Sequence, residues 1–353
     1  MSDREDMGLP QRPEGAEGLG ENGQDDPNGR GIVPAAGPAP VRRNAPAWMS
    51  YLMCALGGAT ASVSPLLASF FVGYGVLAAS GGRKDALPGP IVTCVVASVA
   101  SSLLMGNPAI AEAVTACVLA ATVAAVMALG RMTPGMGCAL VGGGTALVLG
   151  ADALMASLTG SSITESVSSI VDLTVSSLDV TSPDMQLVVN QVRETMATFW
   201  PLAYALVSLG VCLLAQFGAR MVIRTRGLRE LFGKPFSEFD LPIWPVAVLV
   251  AAILGAALGQ GLGEERGSLV TMVSLNVLMV LRFAFAAQGF AVITWFVHEK
   301  HVPAGIGAFL YIGSFFLEMR FIVVSIVGLA DFWLNFRRLG RGGAAPAQGT
   351  QAG

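Results

Sequence analysis

Ten apolar segments follow one another along most of the chain, each bounded by proline, glycine or charged residues. Several reach the roughly 20 residues that an α-helix needs to cross a bilayer. With 53% hydrophobic and only 13% charged residues in 353, the composition is that of a membrane protein. We therefore predict an all-α, polytopic integral membrane bundle of eight to ten transmembrane segments. The apolar segments lie at about 48–64, 66–80, 90–106, 108–130, 133–157, 198–222, 242–262, 267–297, 303–318 and 320–334.

Two polar tails flank this membrane region. Residues 1–46 are rich in Gly, Pro, Asp, Glu and Asn, and their eight acidic side chains outnumber five arginines. Too few large apolar side chains are present to offset the entropy of ordering such a segment. We expect a disordered acidic N-terminal tail over 1–46, a transmembrane domain over 47–340 and a disordered C-terminal tail over 341–353.

The positions of Lys and Arg predict the orientation, because cationic residues concentrate in cytoplasmic loops. If each segment crosses once, most of the cationic residues beyond residue 46 lie in loops on the side of the N-terminus, and the outer loops hold only Arg193 and Arg266. Arg320 then lies at the outer turn of the last hairpin, and Arg282 lies inside a segment. Ten crossings then place both termini in the cytoplasm. Regions 48–80 and 303–334 leave three alternatives open: spanning hairpins, re-entrant hairpins or single kinked helices. Re-entrant hairpins reduce the number of crossings to eight without changing the side of the C-terminus.

Two loops stand out by composition. The outer loop, about 158–197, is Ser/Thr-rich and contains a stretch near 184–197 that favours an amphipathic helix. The inner loop, about 220–241, is basic. An anionic membrane surface suits this pattern, and docking of a partner protein is the alternative. The apolar residues interleaved with its charges are Leu228, Leu231, Phe232, Phe236 and Phe239.

Motifs for catalysis or cofactor binding are absent from the sequence. The chain has no phosphate loop, nucleophile elbow or zinc-protease motif, and its two histidines, His298 and His301, have no third metal ligand nearby. None of its five cysteines is at metal-ligand or redox spacing. We expect no enzyme activity, no cofactor and no metal. Beyond residue 46 the chain carries 16 cationic and 16 acidic side chains, so a nucleic-acid partner is excluded as well.

Polar side chains inside the apolar segments are the candidates for function. An ionisable group at the centre of a membrane helix costs about 3 kcal/mol or more and usually faces a cavity or a partner. Arg282 is the clearest case, with Asn276 six residues before it and Gln288 six residues after it. At about 100° per residue these three side chains point to different faces. The remaining candidates are Glu112, Asp152 and Glu318.

Two stretches near the C-terminus carry a resemblance to a known family, AQGFAVITWFV at 287–297 and GLADFWLNFRR at 328–338. The chain resembles the YybS-like family of uncharacterised bacterial membrane proteins (DUF2232). The resemblance implies a multi-pass protein of the bacterial inner membrane. It also implies an architecture related to the substrate-binding membrane subunits of energy-coupling-factor transporters. The matching positions are Gln288, Gly289, Gly328, Asp331, Trp333, Phe336 and Arg337.

Two functions fit these observations. The first is a solute-binding or transport component, energised by a partner protein or an ion gradient, whose cavity is lined by Arg282 and Gln288. The alternative is a non-transporting scaffold or regulator that docks partners through the 220–241 loop. The first predicts that Arg282 faces a polar cavity, and the second predicts that Arg282 is paired inside a closed bundle. The expected partners are the lipid bilayer and either a small-molecule solute or an energising or regulatory protein.

Overall fold

A computed structural model describes residues 47–106, 110–158, 160–176, 183–228, 231, 233–259 and 261–340. These residues are mostly helical and contain no strand, which confirms the predicted all-α class. The predicted tails, 1–46 and 341–353, lie outside the described residues. The helices in chain order are α1 Ala47–Thr60, α2 Pro65–Ser80, α3 Pro88–Leu104, α4 Ile110–Ala128, α5 Pro134–Leu158, α6 Ile163–Ser176, α7 Pro183–Arg226, α8 Trp244–Gly259, α9 Glu264–Glu299, α10 Ala304–Phe321 and α11 Val323–Leu334.

Six of the described helices are long and apolar enough to cross a membrane. They are α3 with the turn before it, α4, α5, α7, α9 and α10. Helices α2, α8 and α11 are apolar but shorter. The chain is thus a helical membrane protein with several candidate spans, and the count of eight to ten crossings stays a prediction.

Helices α1 and α2 form an antiparallel hairpin. Ser64 caps the start of α2 by accepting a hydrogen bond from the Leu67 amide, and Pro65 occupies the first turn, where its missing N–H costs nothing. The two helices lie so close that a Cβ added to Gly57 would come within 2.8 Å of the Val72 nitrogen. Of the alternatives open for 48–80, the structure has a hairpin and not a single kinked helix.

The N-terminal half packs around α2, which contacts α1, α4 and α7. One hydrophobic core, to which α1 to α5 and α7 contribute, includes Cys54, Val72, Leu119 and Val211. Small residues set the distance between α2 and α7, because a Cβ on Gly73 would overlap the carbonyl group of Ala215. Helix α7 continues well beyond this core, since its 44 residues extend about 66 Å, more than twice the thickness of the hydrocarbon layer.

The C-terminal half is built on α9, which has 36 residues and a length of about 54 Å. The first half of α9 packs on α8, where a Cβ on Gly259 would overlap the Thr271 hydroxyl. The second half packs on α10 and α11, through a hydrogen bond of 3.1 Å between the Tyr311 and Thr294 hydroxyls and through Ser325, which donates to the Arg282 carbonyl. Region 303–334 is therefore a hairpin too, and its turn lies beside the midpoint of α9.

The 220–241 loop connects the two halves. At its start, Leu228 and Leu231 pack on the N-terminal core, and Leu231 lies beside the turns at Gly82 and Gly130. At its end, Phe239 packs on a second core formed around Leu281 and Phe285 of α9. Leu228, Leu231 and Phe239 are thus partly buried against these cores, and contact of the loop with the membrane surface stays a prediction. Phe236 is 47% exposed, and Phe232 lies outside the described residues.

We predict that Gly73→Ala lowers the free energy of unfolding by about 1–3 kcal/mol, because the added methyl group forces α2 away from α7. The matched control is Gly143→Ala, since a Cβ there meets open space and alanine is the better helix former. Unfolding of the detergent-solubilised protein by SDS measures both. Equal stability of the two variants would contradict the close approach at Gly73.

Candidate functional site

Arg282 lies at the centre of a closed polar network. Its Nε donates to Oε1 of Glu318 at 2.9 Å, and its terminal nitrogen donates to the Glu318 carbonyl oxygen. The other carboxylate oxygen of Glu318, Oε2, accepts a hydrogen bond of 2.9 Å from the Ser325 amide. The Ser325 hydroxyl donates a hydrogen bond of 2.7 Å to Oε1. The structure thus brings two predicted site residues, Arg282 and Glu318, together as an ion pair whose side chains are 25% and 11% exposed.

This network supplies hydrogen-bond partners for backbone groups at the α10–α11 turn. The last carbonyl groups of α10 and the first amides of α11 have no partner within their own helices. Glu318 and Arg282 supply partners for two of these groups, the Ser325 amide and the Glu318 carbonyl. Lipid cannot hydrogen-bond a backbone, so a turn at membrane depth needs such partners. The geometry therefore gives Arg282 a structural role, and its role in solute binding stays a prediction.

A second network joins Gln288, Asp331 and Arg337. Arg337 donates to Oδ2 of Asp331 at 2.8 Å, and both side chains are fully inaccessible to solvent. Gln288, also fully buried, donates to the same carboxylate oxygen at 3.3 Å. The other carboxylate oxygen of Asp331 accepts a hydrogen bond of 3.0 Å from the Phe336 amide, and this bond fixes the chain just after α11. Three positions of the family motif thus meet in one buried site.

This second network holds the end of the 220–241 loop. Arg337 donates to the carbonyl oxygens of Ser237 at 2.8 Å and Phe239 at 2.7 Å. The amide oxygen of Gln288 accepts the Leu241 backbone N–H at 3.0 Å. Among the described residues, the Arg337 Nε is buried without a hydrogen-bond partner. The loop, α9 and the chain after α11 are therefore held together by buried and partly buried hydrogen bonds.

The remaining motif positions divide into two groups. A Cβ on Gly289 would overlap the Val324 carbonyl oxygen, and one on Gly328 would overlap that of Phe285, so both glycines permit close packing of α9 on α11. Trp333 and Phe336 are 69% and 43% exposed. Their side chains lie outside the buried network, which the Phe336 backbone amide joins, and their exposure suits contact with the membrane interface.

Asn276 lies at the contact between the two halves. Its side-chain nitrogen donates to the carbonyl oxygens of Thr198 in α7 and Met272 in α9, both at 2.8 Å. Its side-chain oxygen is buried and lacks a partner among the described residues. An open cleft of about 560 Å³ lies next to these carbonyl groups, lined by Ala197, Thr198, Gly259, Gly263, Gly267, Ser268, Thr271, Met272 and Leu275.

Glu112 and Asp152 form the remaining polar pair. Asp152 of α5 accepts a hydrogen bond of 2.8 Å from the Tyr204 hydroxyl of α7. Glu112, in the first turn of α4, lies near enough for its charge to repel that of Asp152. Three helices of the N-terminal half thus bring an acidic pair and a phenol together. Groups of three or more metal-ligating side chains do not occur in the described part of the chain.

The six predicted candidates thus fall into four separate places and do not line one cavity. Arg282 pairs with Glu318, Gln288 belongs to the Asp331 network, Glu112 lies by Asp152, and Asn276 bridges to α7. Sequence reasoning missed Ser325 and Tyr204. A serine or tyrosine in an apolar helix is common, so neither had a local signal that could have identified it.

We predict that Arg337→Met lowers the free energy of unfolding by about 3–5 kcal/mol, because it leaves the buried Asp331 carboxylate without its cation. The matched control is Arg193→Met, which breaks an exposed pair with Asp172 and should cost less than about 1 kcal/mol. The double variant Asp331→Leu/Arg337→Met should recover most of the loss. Equal effects of Arg337→Met and Arg193→Met, measured by SDS unfolding, would show that the network carries little stability.

Comparison with known proteins places these features in a family. The family model described as a predicted membrane protein (DUF2232) matches residues 52–332, which contain Gln288, Gly289, Gly328 and Asp331. No curated protein and no solved structure matches the chain. Trp333, Phe336 and Arg337 lie just beyond the matched range, although Arg337 completes the buried network. The match covers most of the chain and confirms the resemblance seen in the sequence: the chain belongs to the DUF2232 family of predicted membrane proteins.

Proposed function

We propose that this protein is a non-transporting membrane scaffold that docks a partner protein through the 220–241 loop on the cytoplasmic side of the bacterial inner membrane. The observation that carries the proposal is the attachment of this loop at both ends. Leu231 packs on the N-terminal core, and Arg337 holds the carbonyl groups of Ser237 and Phe239. A flexible loop would lose conformational entropy on binding, and a loop held in place loses less. The proposal assigns the chain no catalytic step.

The exposed side chains of the loop indicate the chemistry of the partner. Arg220 and Arg224 near the end of α7 are exposed, as are Lys234, Phe236 and the acidic Glu238 in the loop. A segment with three exposed cations and an exposed aromatic residue suits an acidic protein surface, because opposite charges steer the encounter and aromatic residues supply binding energy. We therefore propose an acidic partner.

The pairing of Arg282 also supports a scaffold over a solute-binding component. An anchor for an anionic solute must offer donors toward a cavity, and Arg282 donates instead to the Glu318 carboxylate and carbonyl groups. The side-chain amide of Gln288 is engaged as well, because its oxygen accepts a hydrogen bond from the Leu241 backbone and its nitrogen donates one to Asp331. Neither of the two described clefts is lined by Arg282 or Gln288.

A photo-crosslinking amino acid at Phe236, in the full-length protein in its native membrane, tests the proposal. We expect a discrete adduct with an acidic protein, reduced about tenfold by Arg224→Glu/Lys234→Glu, since loss of a charge contact of about 1.4 kcal/mol lowers affinity by that factor. The matched control is Lys300→Glu, which reverses an exposed cation in another turn. An adduct that is equally strong in both charge variants, or no adduct at all, would contradict docking through this loop.

One observation favours solute binding as a second candidate function. The cleft between α7 and the α8–α9 turn offers the hydroxyl groups of Thr198, Ser268 and Thr271 together with apolar Leu275. Such a mixture of a few polar groups and apolar surface is typical of small-molecule sites, and a volume of about 560 Å³ is within their range. An uncharged polar solute fits this lining best.

Thermal denaturation with a panel of vitamins, sugars and lipid precursors tests this second candidate. A solute at 100 times its Kd should stabilise the wild-type protein by roughly 2.7 kcal/mol. The shift should disappear in Leu275→Trp, which fills the cleft, and persist in Arg282→Lys, which keeps the cation. A shift lost in Arg282→Lys and kept in Leu275→Trp would place the solute at Arg282 and overturn both proposals above.

A further inference from the structure

Two turns at one end of the N-terminal half are built alike. The α2–α3 turn contains Gly82 and the α4–α5 turn contains Gly130, with φ of 81° and 65°, a backbone conformation that glycine adopts without strain. An arginine directly follows each glycine, Arg83 in one turn and Arg131 in the other. Leu231 packs between the turns, since a Cβ on Gly82 or Gly130 would lie 3.2 Å or 3.9 Å from one of its methyl carbons. One leucine side chain thus holds two arginine-bearing turns side by side.

The cations of these turns lack carboxylate partners. Arg83, Lys84 and Arg131 are exposed, and none of them belongs to an ion pair among the residues that the structure describes. Asp85 is the only acidic residue in the two turns. The local excess of positive charge attracts an anionic ligand.

Several helix ends meet at this end of the molecule. Arg226, in the last turn of α7, donates to the Ala78 carbonyl in the last turn of α2 and to the Ser50 hydroxyl in the first turn of α1. At the start of α5, a Cβ on Gly135 would lie 3.8 Å from Nε1 of Trp244, the first residue of α8. The starts of α1, α5 and α8 therefore lie at the same end as the two turns.

Exposed aromatic side chains mark this same end. Trp48 and Tyr51, at the start of α1, are 66% and 39% exposed, and Trp244 is 41% exposed. Tryptophan and tyrosine are enriched where a membrane meets water, because their rings combine an apolar body with a polar tip. Aromatic residues together with unpaired cations suit the layer of lipid headgroups better than open solvent.

We propose that the two turns bind the headgroup of an anionic phospholipid, with Arg83 and Arg131 in contact with its phosphate group. A guanidinium group matches phosphate oxygens with two parallel hydrogen bonds, and two arginines from neighbouring turns can hold one phosphate from both sides. Lys84 adds a third positive charge beside them. The site does not include Phe236, so it goes beyond the proposed docking of a partner protein, and each can hold without the other.

Competition between two lipids tests the site. The full-length protein is reconstituted with equal amounts of phosphatidylglycerol and phosphatidylcholine of the same acyl chains, and the lipids that stay bound are identified by native mass spectrometry. We expect the wild type to retain phosphatidylglycerol preferentially. Arg83→Gln/Arg131→Gln should reduce this preference by about tenfold, since each cation near an anionic membrane contributes a several-fold gain.

The matched control is Arg266→Gln/Arg320→Gln, which removes two exposed arginines from the start of α9 and the α10–α11 turn and should keep the preference. Equal retention of the two lipids by the wild type, or an equal loss in the two double variants, would overturn the proposal.

A second variant separates a binding site from a diffuse attraction to the membrane. Arg83→Gln/Asp85→Asn leaves the net charge of the α2–α3 turn unchanged, so a diffuse attraction would persist, whereas a site that contains Arg83 should still lose phosphatidylglycerol several-fold. A wild-type preference in this variant would overturn the proposal. Excess inorganic phosphate should leave the bound lipid in place. Displacement of the lipid by phosphate would assign the site to a soluble anion and would overturn the proposal too.

Discussion

Asp331 and Arg337 form an ion pair that no water reaches, and the arrangement of the C-terminal half depends on it. Desolvation of the two charges offsets much of their attraction, so the pair adds little net stability compared with apolar residues. Its effect is on position. One terminal nitrogen of Arg337 donates to the carbonyl oxygens of Ser237 and Phe239, and the side-chain oxygen of Gln288 accepts a hydrogen bond from the Leu241 amide, so the network fixes the 237–241 stretch. The close packing at Gly289 and Gly328 makes this possible by bringing α11 within reach of α9.

Two long helices organise the rest of the molecule. Helix α7 closes the N-terminal core and extends past it. Helix α9 packs on α8 along its first half and on the α10–α11 hairpin along its second half. Asn276 joins α9 to α7, and the 220–241 loop joins the two cores at the other end of α7. The polar groups of α9 face different neighbours, as the helical angle between Asn276, Arg282 and Gln288 predicts, and each position serves a separate contact.

The amino-acid sequence predicted the helices well where hydropathy defines them. The segments 66–80, 133–157 and 303–318 correspond within a few residues to α2, α5 and α10. The amphipathic helix predicted near 184–197 and the apolar segment from 198 form one continuous helix, α7, because hydropathy marks contact with lipid and a helix continues wherever its backbone is satisfied. The motif residues Gln288, Asp331 and Arg337 were recognised from the sequence, but their meeting was not, since nothing local relates a loop to residues about 100 positions away. The same holds for Leu231, which packs on turns at Gly82 and Gly130.

The network around Arg282 has a consequence for how the chain is synthesised. Glu318 follows Arg282 by 36 residues, so α9 is complete before the carboxylate that neutralises its arginine exists. An unpaired arginine makes a helix reluctant to leave the insertion machinery for lipid. We therefore expect α9 to wait for the α10–α11 hairpin, so that the last three helices enter the bilayer as one unit whose release depends on the ion pair.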